Sequence, residues 1–167
     1  FLTFTAYALD GFAYAVEACS GEAFGAGNSQ QLLSVWHAAC RQSGVVALAF
    51  SLIYAFGGEH IVALLTSLEP LRELADRYLW WQVVMPLAGV GCYLLDGMFI
   101  GATRASEMRN SMVVAAAGFG LTLFTVPLLG NHGLWLAVTG FLLLRGISLW
   151  FIWQRHWRNG TWFAVSR

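Results

Sequence analysis

The 167-residue sequence is 58% apolar, 15% aromatic and 11% charged, with a mean hydropathy of +0.63. A soluble domain covers its surface with roughly 25% charged residues, so these values exclude a free cytosolic enzyme, a disordered tail and a nucleic-acid binder, and point to a membrane-embedded chain. Nine acids balance nine bases, all of them arginine, so the electrostatics rest on placement and not on a global field.

The chain opens on Phe1 in an apolar run with no basic n-region and no small-residue cleavage site. A piece of a longer protein is therefore expected, not a signal peptide. A spanning helix needs about 20 mostly apolar residues. Five stretches meet this, 1–24, 44–65, 78–102, 112–129 and 133–153, and together they predict an all-α polytopic membrane helix bundle. Between the first two, Gly25, Gly27, Asn28 and Ser29 signal a turn, and Leu32, Leu33, Val35 and Trp36 within 30–40 suggest a short interfacial helix. Gly57-Gly58-Glu59-His60 predicts a helix end, and Leu68-Glu69-Pro70 opens a short surface helix with Pro near its first turn. Residues 154–167 read as a basic tail.

Basic residues accumulate on the cytoplasmic side. With the first helix running inward, Arg41, Arg104, Arg109, Arg155, Arg158 and Arg167 fall inside, Arg72 and Arg77 outside, and Arg145 within a span. This predicts a cytoplasmic C-terminus. Five spans ending inside require an outward start, so one further helix before Phe1 is the natural completion.

Ionisable groups within spans are costly and usually face a protein interior or a water-filled cavity. Asp10, Glu17, Asp96 and Arg145 are the cases here. Seven residues separate Asp10 from Glu17, which returns the helix to within about 20° of the same stripe, with Tyr14 and Gly21 alongside. A carboxylate in low dielectric is pushed toward protonation, the physics that proton coupling needs; the bland reading is a helix cap or an arginine pair. Asp96 follows Pro86 in a helix that also holds Gly89, Gly97 and Gly101, so bending or unwinding could line a cavity there. Arg145 lies near enough to the inner end to snorkel or to pair with a carboxylate, and a structural role is expected for it.

The GxxxG pairs Gly21/Gly25 and Gly97/Gly101 suit close helix packing, not phosphate binding. Seven of the eight tryptophans, Trp80, Trp81, Trp135, Trp150, Trp153, Trp157 and Trp162, mostly fall near predicted helix ends and mark headgroup-level boundaries. Cys19, Cys40 and Cys92 form no CxxC pair and read as small buried hydrophobes, and the four histidines form no HExxH or Cys/His cluster. No metal or nucleophilic centre is expected.

Ala8-Leu9-Asp10-Gly11-Phe12-Ala13, Gly21-Glu22-Ala23-Phe24-Gly25-Ala26, Asp96-Gly97-Met98-Phe99-Ile100-Gly101-Ala102-Thr103-Arg104 and Leu129-Gly130-Asn131-His132-Gly133-Leu134-Trp135 resemble the multidrug and toxic compound extrusion (MATE) family, in particular its DNA-damage-inducible protein F branch. The resemblance covers essentially the whole chain. It implies a twelve-helix carrier with two pseudo-symmetric lobes, of which this chain is the second lobe from helix 8 to helix 12, in the bacterial inner membrane with the C-terminus cytoplasmic. It also implies export of amphipathic, often cationic, organic compounds in exchange for H⁺ or Na⁺, with no cofactor, no enzymatic activity and no nucleic-acid partner. The lipid bilayer and the N-terminal lobe of the same chain are the implied partners. Asp96 lies about two turns inward of the acid that other branches use on their tenth helix, so it does not inherit that role. Asp10, Glu17 and Asp96 are the coupling candidates, and Tyr14, Pro86, Gly89 and Gly97 the cavity or helix-bending candidates. The rival readings are a flippase for lipid-linked precursors, which would favour a basic cavity, and a non-transporting membrane scaffold, in which the three acids would tolerate neutral replacement.

Overall fold

The computed structural model describes residues 1–164, so Arg167, counted above among the inner bases, lies outside the described residues. Six helices follow in order: α1 (Leu2–Gly25), α2 (Ser29–Leu65), α3 (Glu69–Gly101), α4 (Ala105–Leu123), α5 (Val126–Leu129) and α6 (Asn131–Arg158). No strand occurs among the described residues. By length and composition, α2, α3 and α6 can cross a membrane. α1, with Asp10, Glu17 and Glu22, and α4, with Glu107 and Arg109, fall outside that set.

Three helix ends close by one device, in which the residue after the cap turns left-handed and two amides bond back to carbonyls of the last turn. After α1, Gly27 has φ +62°, and the amides of Gly27 and Asn28 donate to the Phe24 and Ala23 carbonyls at 3.1 and 2.9 Å. After α6, Gly160 has φ +65°, with Gly160 and Thr161 bonding back to Trp157 and His156. Thr103 does the same after α3 at φ +55° without glycine's freedom, a costly choice for a β-branched residue. The next helix, α2, then starts on Asn28, whose side chain accepts from the Gln31 amide at 3.0 Å.

Two expected boundaries do not exist. Residues 30–40 are not a separate interfacial helix but the first turns of the 37-residue α2, whose buried stripe Leu32, Trp36, Ala39, Ser43, Ala47, Ser51 and Tyr54 continues to Gly58 and Val62. The Gly57-Gly58 pair does not end the helix. A Cβ on Gly58 would lie 2.6 Å from the Leu79 side chain, so glycine serves close approach to α3. Likewise the surface helix at Glu69 is the start of the 33-residue α3, with Pro70 in its first turn as expected. Arg72 seals the α2–α3 corner, donating from Nε to the Thr66 carbonyl and from Nη2 to the Ala63 carbonyl, both at 2.9 Å.

α3 is the hub, packed against α1, α2 and α6, while α4 packs chiefly on α6. Its glycines let α1 approach backbone to backbone. A Cβ on Gly97 would overlap the Ala13 carbonyl, and one on Gly101 would sit 2.5 Å from the Glu17 carbonyl oxygen. The core at the C-terminal end gathers Val16, Leu32, Trp36, Leu95, Met98, Phe99, Leu149, Trp153 and Trp162. Trp153 and Trp162 are thus not headgroup-level markers: Trp162 is 1% exposed, edge-on to Phe99 at 5.1 Å. Nor are the cysteines uniformly buried, because Cys19 is exposed on α1.

Candidate functional site

Pro86 is fully buried in α3 and removes the amide that would bond to the Gln82 carbonyl one turn earlier. α3 nevertheless continues unbroken to Gly101. A Cβ on Gly89 would meet the Tyr93 ring at 3.3 Å and Leu142 at 3.5 Å, so this glycine too serves packing against α6. The close approach of α3 and α6 brings Asp96 opposite Arg145.

Arg145 donates to Asp96 from Nε at 3.1 and 3.0 Å to the two carboxylate oxygens, and from Nη2 to Oδ1 at 2.7 Å. The planar fork fits the carboxylate, the geometry in which arginine pairs best. Arg145 Nη1 reaches the Met112 sulfur at 3.0 Å, and Cys92 Sγ lies 3.8 Å from Asp96 Oδ2. Ser111 and Ser148 share a 2.7 Å hydrogen bond, and the hydroxyl that accepts in it donates its own proton to the Arg145 carbonyl, which lies within 3.3 Å of both. One polar network therefore ties α3, α4 and α6 together in the apolar middle of the bundle. The side chains are 24% (Asp96) and 9% (Arg145) exposed, so neither charge is left to bare hydrocarbon. Two opposite charges on apolar neighbouring helices were the signal for this pair, because an intramembrane arginine needs a partner.

Asp10 and Glu17 stand differently. Both are half-buried on α1, with no hydrogen-bond or ion-pair partner for either carboxylate among the described residues. Asp10 lies one turn before Ala13, whose carbonyl abuts Gly97, the neighbour of Asp96. The structure therefore gathers Asp10, Asp96 and Arg145 near one interface, while Glu17 sits two turns further along. Tyr14 projects outward at 70% exposure, on a bare aromatic face with Phe4 and Tyr7. Gly97 lies under Ala13 and holds α1 close.

A second polar centre closes the C-terminal end, and hydropathy gave no hint of it. Arg104, read above as a loop base, is 5% exposed. Its Nη2 donates to the Thr161 and Trp162 carbonyls at 2.7 and 2.8 Å, its Nη1 to Glu107 at 2.7 Å, and its guanidinium lies 4.9 Å from the Trp162 ring centroid. Burial opposes the Glu107 charge, but hydrogen bonds from Ser106, its own backbone and Arg104 win and hold this carboxyl below the usual range. His156, 3.6 Å from Glu107, is held below its ordinary value by burial and then by the Arg104 charge, which together outweigh the attraction of Glu107. At the other end, a cavity of about 460 Å³ is lined by Phe1, Thr3, Tyr78, Gln82, Asn131 and Trp135.

A bundle of long apolar helices joined by tight caps, with its one intramembrane arginine among the described residues paired to a carboxylate, defines a multi-pass membrane protein. Residues 1–129 match the MatE family model, and the chain belongs to that family. It is 73% identical over 165 residues to DNA damage-inducible protein F of Escherichia coli (strain K12), covering 99% of this chain and 36% of that relative, so it spans about a third of the relative's length. No solved structure matches.

Proposed function

We propose that this chain forms part of the second lobe of a secondary efflux antiporter in the bacterial inner membrane, with its C-terminus cytoplasmic. The carrier exports amphipathic, often cationic, organic compounds against an inward flow of H⁺ or Na⁺. Membership of the MatE family supports the transport class. The observation that carries the site assignment is the contrast between carboxylates: Asp96 is already neutralised by Arg145, whereas Asp10 and Glu17 have no basic partner among the described residues. A group that must be negative to hold a cation and neutral to release it has to be free to titrate. Coupling therefore falls to Asp10 and Glu17 on α1, and the earlier candidacy of Asp96 gives way to a positioning role. The arginine pair also weakens the flippase reading, since the one intramembrane base among the described residues is committed to a carboxylate.

The test uses the full-length protein in inverted vesicles, following a fluorescent organic cation under an imposed pH gradient and, separately, a sodium gradient. Asp10→Asn and Glu17→Gln, at equal expression, are expected to lose gradient-driven transport. Coupled transport at wild-type rates in both variants overturns the assignment.

A further inference from the structure

The exposed face of α6 changes character along its length. Leu143, Ile147 and Phe151 are 43%, 50% and 68% exposed, and the same stripe ends in Arg155 and Arg158, both exposed. At 1.5 Å rise per residue, Ile147 lies about 12 Å and Phe151 about 6 Å below Arg155. Aliphatic, then aromatic, then guanidinium is the order in which a phospholipid presents its acyl chain, glycerol region and phosphate.

The end of the stripe holds a shallow groove of about 580 Å³ lined by Trp150, Phe151, Gln154, Arg155, Arg158 and Asn159. Trp150 is a fixed wall, packed against Trp36 and Trp153 with ring centroids 6.0 and 5.1 Å away. Neither arginine side chain has a carboxylate or carbonyl partner among the described residues; the nearby acid, Glu107, is engaged by Arg104 and Ser106. Basic residues in a last turn complement the helix dipole, which explains their presence there. It does not explain why both share a face with an exposed phenylalanine, a braced indole and the Gln154 amide.

We propose that this groove is a binding site for an anionic phospholipid of the inner leaflet. The lipid phosphate would be held by Arg155 and Arg158, with Gln154 and Asn159 as neutral donors, and the chain would lie along Phe151 and Ile147. Two cationic forks facing an apolar stripe match a negative phosphodiester, and they offer nothing to the ammonium of a zwitterionic headgroup.

The full-length protein, purified in mild detergent, is titrated with phosphatidylglycerol or phosphatidylethanolamine, and bound lipid is counted by native mass spectrometry. Phosphatidylglycerol is expected to bind preferentially. Each of Arg155→Gln and Arg158→Gln should weaken it about fivefold, and the pair roughly thirtyfold, the effect of removing about one unit of surface attraction per arginine. Arg41→Gln, an exposed base outside the groove, is the control and should leave binding unchanged. The single variants report if the double variant does not fold. Equal retention of the two lipids, binding indifferent to both arginine variants, or displacement of phosphatidylglycerol by millimolar inorganic phosphate overturns the proposal; the last outcome would make the groove a soluble-anion site.

Discussion

The Asp96–Arg145 pair invites a double-mutant cycle, because it separates a pin from a carrier. Removing one member of a buried ion pair costs about 3–5 kcal/mol, since the other charge is left uncompensated. Asp96 keeps 24% of its surface, and interhelical polar contacts in membranes average only about 0.6 kcal/mol. We therefore expect about 2 kcal/mol of destabilisation for Asp96→Leu or Arg145→Met alone. Replacing both by apolar residues of similar size, Asp96→Leu with Arg145→Met, removes the need for either charge and should return stability to within about 1 kcal/mol of wild type.

The resulting coupling energy is about 3–4 kcal/mol, read from reversible unfolding of the full-length protein in mixed micelles. Gradient-driven transport is measured on the same variants. The apolar double variant should still transport, because coupling is assigned to α1. Single effects that add to within about 0.5 kcal/mol would refute the pin. A stable double variant that carries substrate downhill but has lost its response to the gradient would return Asp96 to the coupling site.

Three further outcomes follow from the caps and contacts. The native pKa of His156 lies below its ordinary 6.5, so the stability it contributes is complete above that value and is lost as pH falls through the native value. Glu107, lowered from 4.5, loses its contribution in the same direction but at lower pH. The melting temperature should thus fall on acidification from neutral pH, and His156→Gln should blunt this fall; an unchanged pH dependence would discard His156 as the responsible group. Thr103→Gly should raise stability by roughly 0.5–1 kcal/mol, because it relieves a β-branched residue at positive φ and part of the gain is returned as unfolded-state entropy. A lower melting temperature would mean the strain is absent. Gly101→Ala places a Cβ 2.5 Å from the Glu17 carbonyl, where backbone cannot yield cheaply, and should cost about 2 kcal/mol or more; a neutral result would show that α1 is loosely seated.

Where the sequence could be read depended on which residues fill the interfaces. α1 was legible almost to the residue, because an apolar run meets Gly27 and the capping Asn28. α2 was not, because its buried stripe includes Ser43, Ser51 and Gly58, which hydropathy scores as weak or broken although small residues are what close packing selects. The coupling stripe suffered the converse error of attending to one helix at a time: Asp10, Tyr14 and Glu17 share a face as drawn from the sequence, but Asp96 acquires its meaning only from Arg145, 49 residues later. Arg104 was misplaced for a similar reason. A charge counted as a loop base is buried once the chain after Arg158 folds back and offers it carbonyls.

The two interfaces of α3 are held by different physics, and the difference bears on how a carboxylate on α1 could drive motion. Toward α6 and α4, α3 is fixed by a directional ion pair and a serine network, which resist sliding because each hydrogen bond has a narrow geometric range. Toward α1, the described contacts are chiefly glycine-mediated backbone approach and dispersion, which tolerate small shear better than a forked ion pair does. Asp10 sits on the shearing side, one turn from the Ala13–Gly97 contact beside the pinned Asp96. Neutralising Asp10 would change the charge at this interface while leaving the α3–α4–α6 block intact. In the antiporter proposed above, a lobe that rocks as a unit in response to one proton would use that division, which favours Asp10 of the two α1 candidates: Glu17 lies where Gly101 already presses backbone against backbone.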